Sequence, residues 1–151
     1  GVIEMKIKSF KKLTDEQIKK IENRIHVKLP EDYREFLKST GGGVVEKDET
    51  NRIMLKTIGR EIVLDVLYGD DENNESGNIM FWMKQFEGEM LENSIIIGDD
   101  LFQGFLVMVC DGVNKGIYYW DDSYNFESSN DENNMYWIAD SFEQLFKHLT
   151  E

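Results

Sequence analysis

The chain has 151 residues, 40% of them hydrophobic and 12% aromatic, with 30 acidic and 17 basic groups and a formal net charge of −13. A chain of this length buries roughly 68–70% of its unfolded surface without a disulfide or metal staple, and the apolar content argues for a folded core over disorder. So acidic a surface repels phosphate, which argues against direct nucleic-acid or anionic-membrane binding and for a basic protein partner.

The charge is uneven: residues 1–40 carry net +3 and residues 41–151 net −16. No apolar run approaches the ~18 residues of a membrane span, and the opening GVIEMKIKSFKK lacks the apolar core of a signal peptide. The single cysteine cannot close an internal disulfide, so the expected compartment is the cytoplasm. The chain reads as one domain over 1–151, with no repeat and no linker to split it.

In chain order, a first helix is predicted to start at Thr14. Thr14 and Gln17 have capping-box spacing, Asp15 and Glu16 lie in the first turn, and Ile18, Ile21 and Ile25 give one apolar face. A second helix follows from Leu29-Pro30, with Pro30 at its first position, Glu31 and Asp32 on the positive end of the dipole, and a stripe of Tyr33, Phe36 and Leu37. Gly41, Gly42 and Gly43 end it.

From Val44 the period changes. Strands are predicted at Arg52–Thr57 and Glu61–Tyr68, then a polar loop from Gly69 to Gly77, then a short helix within Asn78–Met90 carrying Trp82, Met83 and Phe86. Ser94–Ile97 reads as a strand closed by Gly98-Asp99-Asp100. Phe105–Cys110 is a strand apolar on both faces, and Ile117–Trp120 is its hairpin partner. A second acidic loop, expected to be mobile, spans Asp121–Asn134. Met135–Ala139 is a last strand. Asp140 or Ser141 then caps a helix with a Phe142, Leu145, Phe146, Leu149 stripe. Helices, a run of strands with one helical insertion, and a helix make an α+β fold: a mostly antiparallel central sheet with helices packed on one face.

Several of these stretches carry a likeness. The opening helix with Ile18, Ile21 and Glu22, the segment LPEDYREFLKSTGGG (29–43), IIIGDD (95–100), GFLVMVCDGVNKGIYYWDD (104–122) and IADSFEQLFKHL (138–149) together resemble the SUKH superfamily. That group includes fungal cell-wall-synthesis regulators of the Smi/Knr type and many bacterial toxin-immunity proteins. The middle, roughly 46–93, resembles it less and is either an insertion or a diverged stretch. The resemblance implies an α+β fold and an intracellular protein without enzymatic activity. It implies direct binding of a toxin, often a nuclease, as in the bacterial relatives, or a regulatory role as in the fungal ones. It assigns no contact residue.

No constellation identifies a reaction. Asp99-Asp100 and Asp121-Asp122 each follow a predicted strand. Side by side they would offer oxygen ligands to a hard cation, although their ordinary use is to deter edge pairing. Asp70 to Glu75 lack the glycine and the spaced final glutamate of an EF-hand. His26 and His148 sit near predicted helix ends, where the dipole favours their charge, and have no nucleophile beside them. Cys110 lies in the most apolar strand as a small hydrophobe. The serines lack a nucleophile elbow, and the glycines at 41–43 follow a helix instead of opening one, so they form no anion cradle. Neither a cofactor nor a metal is therefore expected.

The expected role is an immunity protein that occludes the basic groove of a cognate toxin domain. Its expected contacts are Asp70, Asp71, Glu72, Asp99, Asp100, Asp121 and Asp122, with Tyr119 and Tyr124 as anchors. The alternative is a non-enzymatic regulatory or adaptor module. A metal-dependent enzyme using Asp99, Asp100, Asp121 or Asp122 is the third reading.

Overall fold

The computed structural model describes residues 7–47 and 51–150, with side chains as far as 147. Chain order gives β1 (Ile7–Ser9), α1 (Asp15–Ile25), α2 (Glu31–Ser39), β2 (Gly43–Val45), β3 (Arg52–Leu55), β4 (Arg60–Leu67), α3 (Ile79–Gln85), β5 (Ser94–Asp100), β6 (Phe105–Val109), β7 (Gly116–Trp120), β8 (Met135–Ala139) and α4 (Phe142–Thr150). The strands form one antiparallel sheet in the order β1-β2-β4-β5-β6-β7-β8, with β3 paired to β4. The fold is α+β with a mostly antiparallel sheet, as the element order requires.

The helices begin where local chemistry starts them. Thr14 accepts the Gln17 backbone N–H while the Gln17 side chain accepts the Thr14 N–H, a reciprocal cap. Ile18, Ile21 and Ile25 are buried as a stripe, and α1 ends at His26 in the left-handed region, φ 60°. Glu22 then ties the connection to α2 by accepting the Leu29 N–H at 2.7 Å and the Arg34 guanidinium at 2.9 Å. Pro30 is the N-cap of α2 and not its first helical residue: its ψ of 146° is extended. Asp32 Oδ2 accepts the Glu143 N–H at the start of α4, and Tyr33 and Phe36 pack on Phe142 with ring centroids 5.1 and 4.8 Å apart. Ser141 Oγ accepts from Gln144 N and caps α4. His148 and Leu149 lie outside the described side chains.

Four departures from the predicted elements matter. β1 and β2, three residues each, are too short to show a period-two pattern. The stretch 46–93 is integral to the fold, because it supplies β4, which pairs with β2, β3 and β5. β5 does not stop at Ile97 but runs through Asp100, with a register shift between Ile96 and Gly98. The bulge falls at Ile97, and Gly98-Asp99-Asp100 continue the strand beyond it as paired residues and do not end it. The Asp121–Asn134 loop is pinned: Asp121, fully buried, accepts from Asn125 N, Phe126 N and Ser129 Oγ at 2.9, 2.8 and 2.5 Å.

Cross-strand partners share a face of a sheet. Val66, Asp99, Phe105, Trp120 and Met135 are successive partners from β4 to β8 and form one row across one face. Gly98, Leu106, Tyr119 and Tyr136 form the adjoining row on the other. α3 lies over the first face, with Trp82 stacked on Tyr68 at 5.6 Å and Phe86 against Phe105 and Trp120 at 5.0 and 4.9 Å.

Candidate functional site

Within β5, period-two alternation separates the two acids of the Asp99-Asp100 pair. Asp99 sits in the α3-covered row; Asp100, one residue on, points to the opposite side and is buried. Asp100 Oδ1 accepts the Gly104 N–H and the Tyr119 hydroxyl, both at 2.9 Å. Tyr119 is fully buried, its ring packed on Phe126. Asp121 holds the loop described above. Asp121 and Tyr119, expected as partner contacts, are therefore committed to the interior; Asp100 is also buried, yet it borders the larger cleft described next, and its Oδ2 has no hydrogen-bond partner among the described residues.

Asp122 differs in kind. It is half-buried, and among the described residues it makes no hydrogen bond or ion pair. It lines two clefts at once. The first, about 520 Å³, is also bounded by Asp65, Asp99, Asp100, Leu101, Gln103 and Ser123, with Trp82, Phe86 and Phe105 contributing ring surface. The second, about 270 Å³, is bounded by Glu89, Met90, Leu91, Tyr124, Asp131 and Asn134 over Val107, Trp120 and Met135. Among the described residues, no lysine or arginine lines either cleft. Lys47 pairs with Asp65. Exposed apolar side chains rim this face: Leu91, Leu101, Phe102 and Tyr124, each about half exposed. The Tyr124 hydroxyl donates to Asp131.

Asp70, Asp71 and Glu72 lie elsewhere. Asp70 accepts from Gln17 on α1 at 2.8 Å and lines a separate cleft with Leu13, Gln17 and Lys20, while Glu72 pairs with Lys11 at 3.0 Å. Of the acids named from sequence, the fold thus brings Asp99, Asp100 and Asp122 to the border of one cleft and leaves Asp70, Asp71 and Glu72 apart from it. Residues missed from sequence are Asp65, Glu89 and Asp131 and the Leu101-Phe102 pair. An apolar pair at a hairpin tip, where polar turn residues are the norm, was the available signal for the last.

Among the described residues, no group of three or more His, Cys, Asp or Glu is placed to hold a metal ion. Cys110 is buried, and burial pushes its thiol pKa up to about 12, which removes it as a nucleophile. No helix among the described residues is long and apolar enough to cross a membrane.

Asp99 carries the electrostatic cost of the site. Its carboxylate accepts from the Tyr68 hydroxyl at 2.6 Å and the Val66 N–H at 3.2 Å. Burial nonetheless raises its pKa from 3.8 to about 6, with Asp65 and Asp100 adding repulsion. The folded state therefore binds more protons than the unfolded one between these values. Stability falls as pH rises through that window, and the penalty persists above it. Asp99→Asn is expected to raise stability by about 1–2 kcal/mol at pH 8 and to change it little at pH 4, measured by urea unfolding at both. No gain at pH 8 would show that Asp99 is not strained by its charge.

Residues 12–148 match the SMI1 / KNR4 family (SUKH-1). The chain is also similar to the SPbeta prophage-derived uncharacterized protein YokK of Bacillus subtilis (strain 168), with 28% identity over 159 residues that span 91% of this chain and 75% of the relative.

Proposed function

Because the chain belongs to the SMI1 / KNR4 (SUKH-1) family, we propose that it is an immunity protein that binds a cognate toxin domain and neutralises it by occlusion. Members of this family are in general immunity or regulatory proteins without an enzymatic activity, and a relative carried by a prophage is in keeping with the first role. The observation that carries the reading is the face beside α3. It exposes acids with no basic residue lining the clefts between them, and it ranges half-exposed apolar side chains around them. Acidic groups of this kind steer a basic partner and fix its register, and apolar anchors supply the binding energy. A nuclease groove, built to hold phosphates, is such a partner.

The test is affinity capture from the native bacterium or its toxin-expressing strain, at low and then raised salt, with the bound proteins identified by mass. One basic toxin-like domain, only partly released by salt, is expected. Several unrelated partners, or none that survives salt, would favour an adaptor module instead. The doubly neutralised Asp99→Asn, Asp122→Asn protein is expected to bind the captured domain at least about tenfold more weakly while melting no lower than wild type. Undiminished binding by that variant would sink the electrostatic mechanism.

A further inference from the structure

The two clefts meet at Asp122, and their shared chemistry specifies more than a generic basic partner. We infer that they form one trough that takes a basic loop or strand of the partner, with an arginine side chain of that segment seated in the cleft between Asp65, Asp99 and Asp122 against the rings of Trp82, Phe86 and Phe105. The inference rests on the proposed toxin-binding role and adds the ligand chemistry of its central subsite.

Three observations argue for arginine. First, the carboxylates stand on separate elements around the cleft. Asp65 is at the register shift of β4, Asp99 is in β5 and Asp122 follows β7. A planar guanidinium with five donors bridges such a set, whereas an ammonium meets it as a point charge. Second, the cleft walls are aromatic, and a guanidinium stacks on ring faces while keeping its edge donors free. Third, among the described residues Asp122 is half-buried with no hydrogen bond or ion pair, Asp100, which borders the same cleft and is 3% exposed, has an Oδ2 with no hydrogen-bond partner, and Asp99 is held where its charge is disfavoured. An incoming cation relieves them. The groups facing Asp99 are Tyr68, Asp65 and the Val66 N–H from β4, Asp100 beside it in β5 and Asp122 from the loop after β7, and Lys47 pairs with Asp65 and the Val45 carbonyl. The second cleft continues the path over Val107, Trp120 and Met135 with Glu89 and Asp131 at its rim. An apolar neighbour of the arginine fits there. Volumes of about 520 and 270 Å³ suit side chains, being close to the roughly 300–1,000 Å³ typical of small-ligand clefts.

The chain carries its own reporters, since Trp82 and Trp120 line the trough and Trp137 lines neither cleft. The experiment titrates the ¹⁵N-labelled full chain with hexa-arginine and with hexa-lysine and follows the three indole N–H signals. Hexa-arginine is expected to shift those of Trp82 and Trp120 and leave that of Trp137 in place. It should bind about fivefold tighter than hexa-lysine, and Asp122→Asn should lose about fivefold. Equal affinity for the two peptides, an undiminished Asp122→Asn, or shifts confined to Trp137 or to backbone signals of the Asp70–Glu72 loop would overturn the inference. The two proposals fail separately. A captured toxin that binds Asp122→Asn as tightly as wild type removes the trough and leaves the immunity role standing. Failure to capture any toxin removes that role whatever the peptides do.

Discussion

Asp121→Ala is expected to destabilise the protein by about 3 kcal/mol or more, while Asp122→Ala, one residue on, is expected to shift stability by no more than about 0.5 kcal/mol. The contrast follows from what each carboxylate holds. Asp121 is fully buried and accepts from two backbone N–H groups, Asn125 and Phe126, and from Ser129 Oγ. Ser129 and Ser128 in turn bond the Tyr136 hydroxyl at 2.8 and 2.7 Å, so the loop is tied through Asp121 to β8. Removing the carboxylate strands donors that folding has taken from water, and an unmade buried hydrogen bond costs more than a made one contributes. The loop also places Asp122 and Tyr124 on the trough, so Asp121→Ala should weaken partner binding indirectly. Paired melts of the two variants check this. Equal stability would mean that the loop is not organised by Asp121.

Gly69→Ala is expected to cost more than about 3 kcal/mol and to leave much of the chain unfolded at physiological temperature. A Cβ at residue 69 would stand 1.8 Å from the Gly41 carbonyl oxygen and 2.5 Å from its carbon. Both are backbone atoms and have no rotamer by which to move away. Gly69 is itself held by its N–H to Gly77 O at 2.9 Å and its carbonyl to Ile79 N at 3.1 Å, so moving it away from Gly41 would break the entry into α3. Gly59 is the comparison. It has φ +62° and nothing within 4 Å of a Cβ, so Gly59→Ala should cost only the left-handed strain of about 1 kcal/mol. Thermal melts of the two variants separate a steric requirement for glycine from a conformational one. A Gly69→Ala protein as stable as Gly59→Ala would refute the close crossing.

Much of the local structure was legible because local rules decide it. The reciprocal cap of Thr14 and Gln17, the isoleucine stripe of α1, the stripe of α2, and the hairpin of β6 and β7 each depend on neighbours within a turn or a strand pair. Gly98-Asp99-Asp100 misled for an equally local reason: glycine followed by two aspartates has the composition of a turn, and only pairing with β4 and β6 keeps it in the sheet. Once β5 reaches Asp100, its two acids take different partners, Asp99 the Tyr68 hydroxyl and Asp100 the Tyr119 hydroxyl. Treating each Asp-Asp pair as a unit therefore merged residues with different work. The aromatic abundance was legible, but its allocation was not. Tyr119 and Phe126 went into the core and Tyr124 to the surface, because the core is filled by whichever face the sheet turns inward.

By itself the sequence determined the class of the fold, the family, the net acidity and the absence of a recognisable catalytic motif. These depend on composition, on periods of a few residues and on local segments. Only the tertiary structure decided which acids share a cleft. Asp65, Asp99 and Asp122 come from three separated stretches and converge because β4, β5 and the end of β7 pass beneath α3. Such convergence is a property of strand order and register, fixed by long-range burial and pairing, and no local pattern in the chain encodes it.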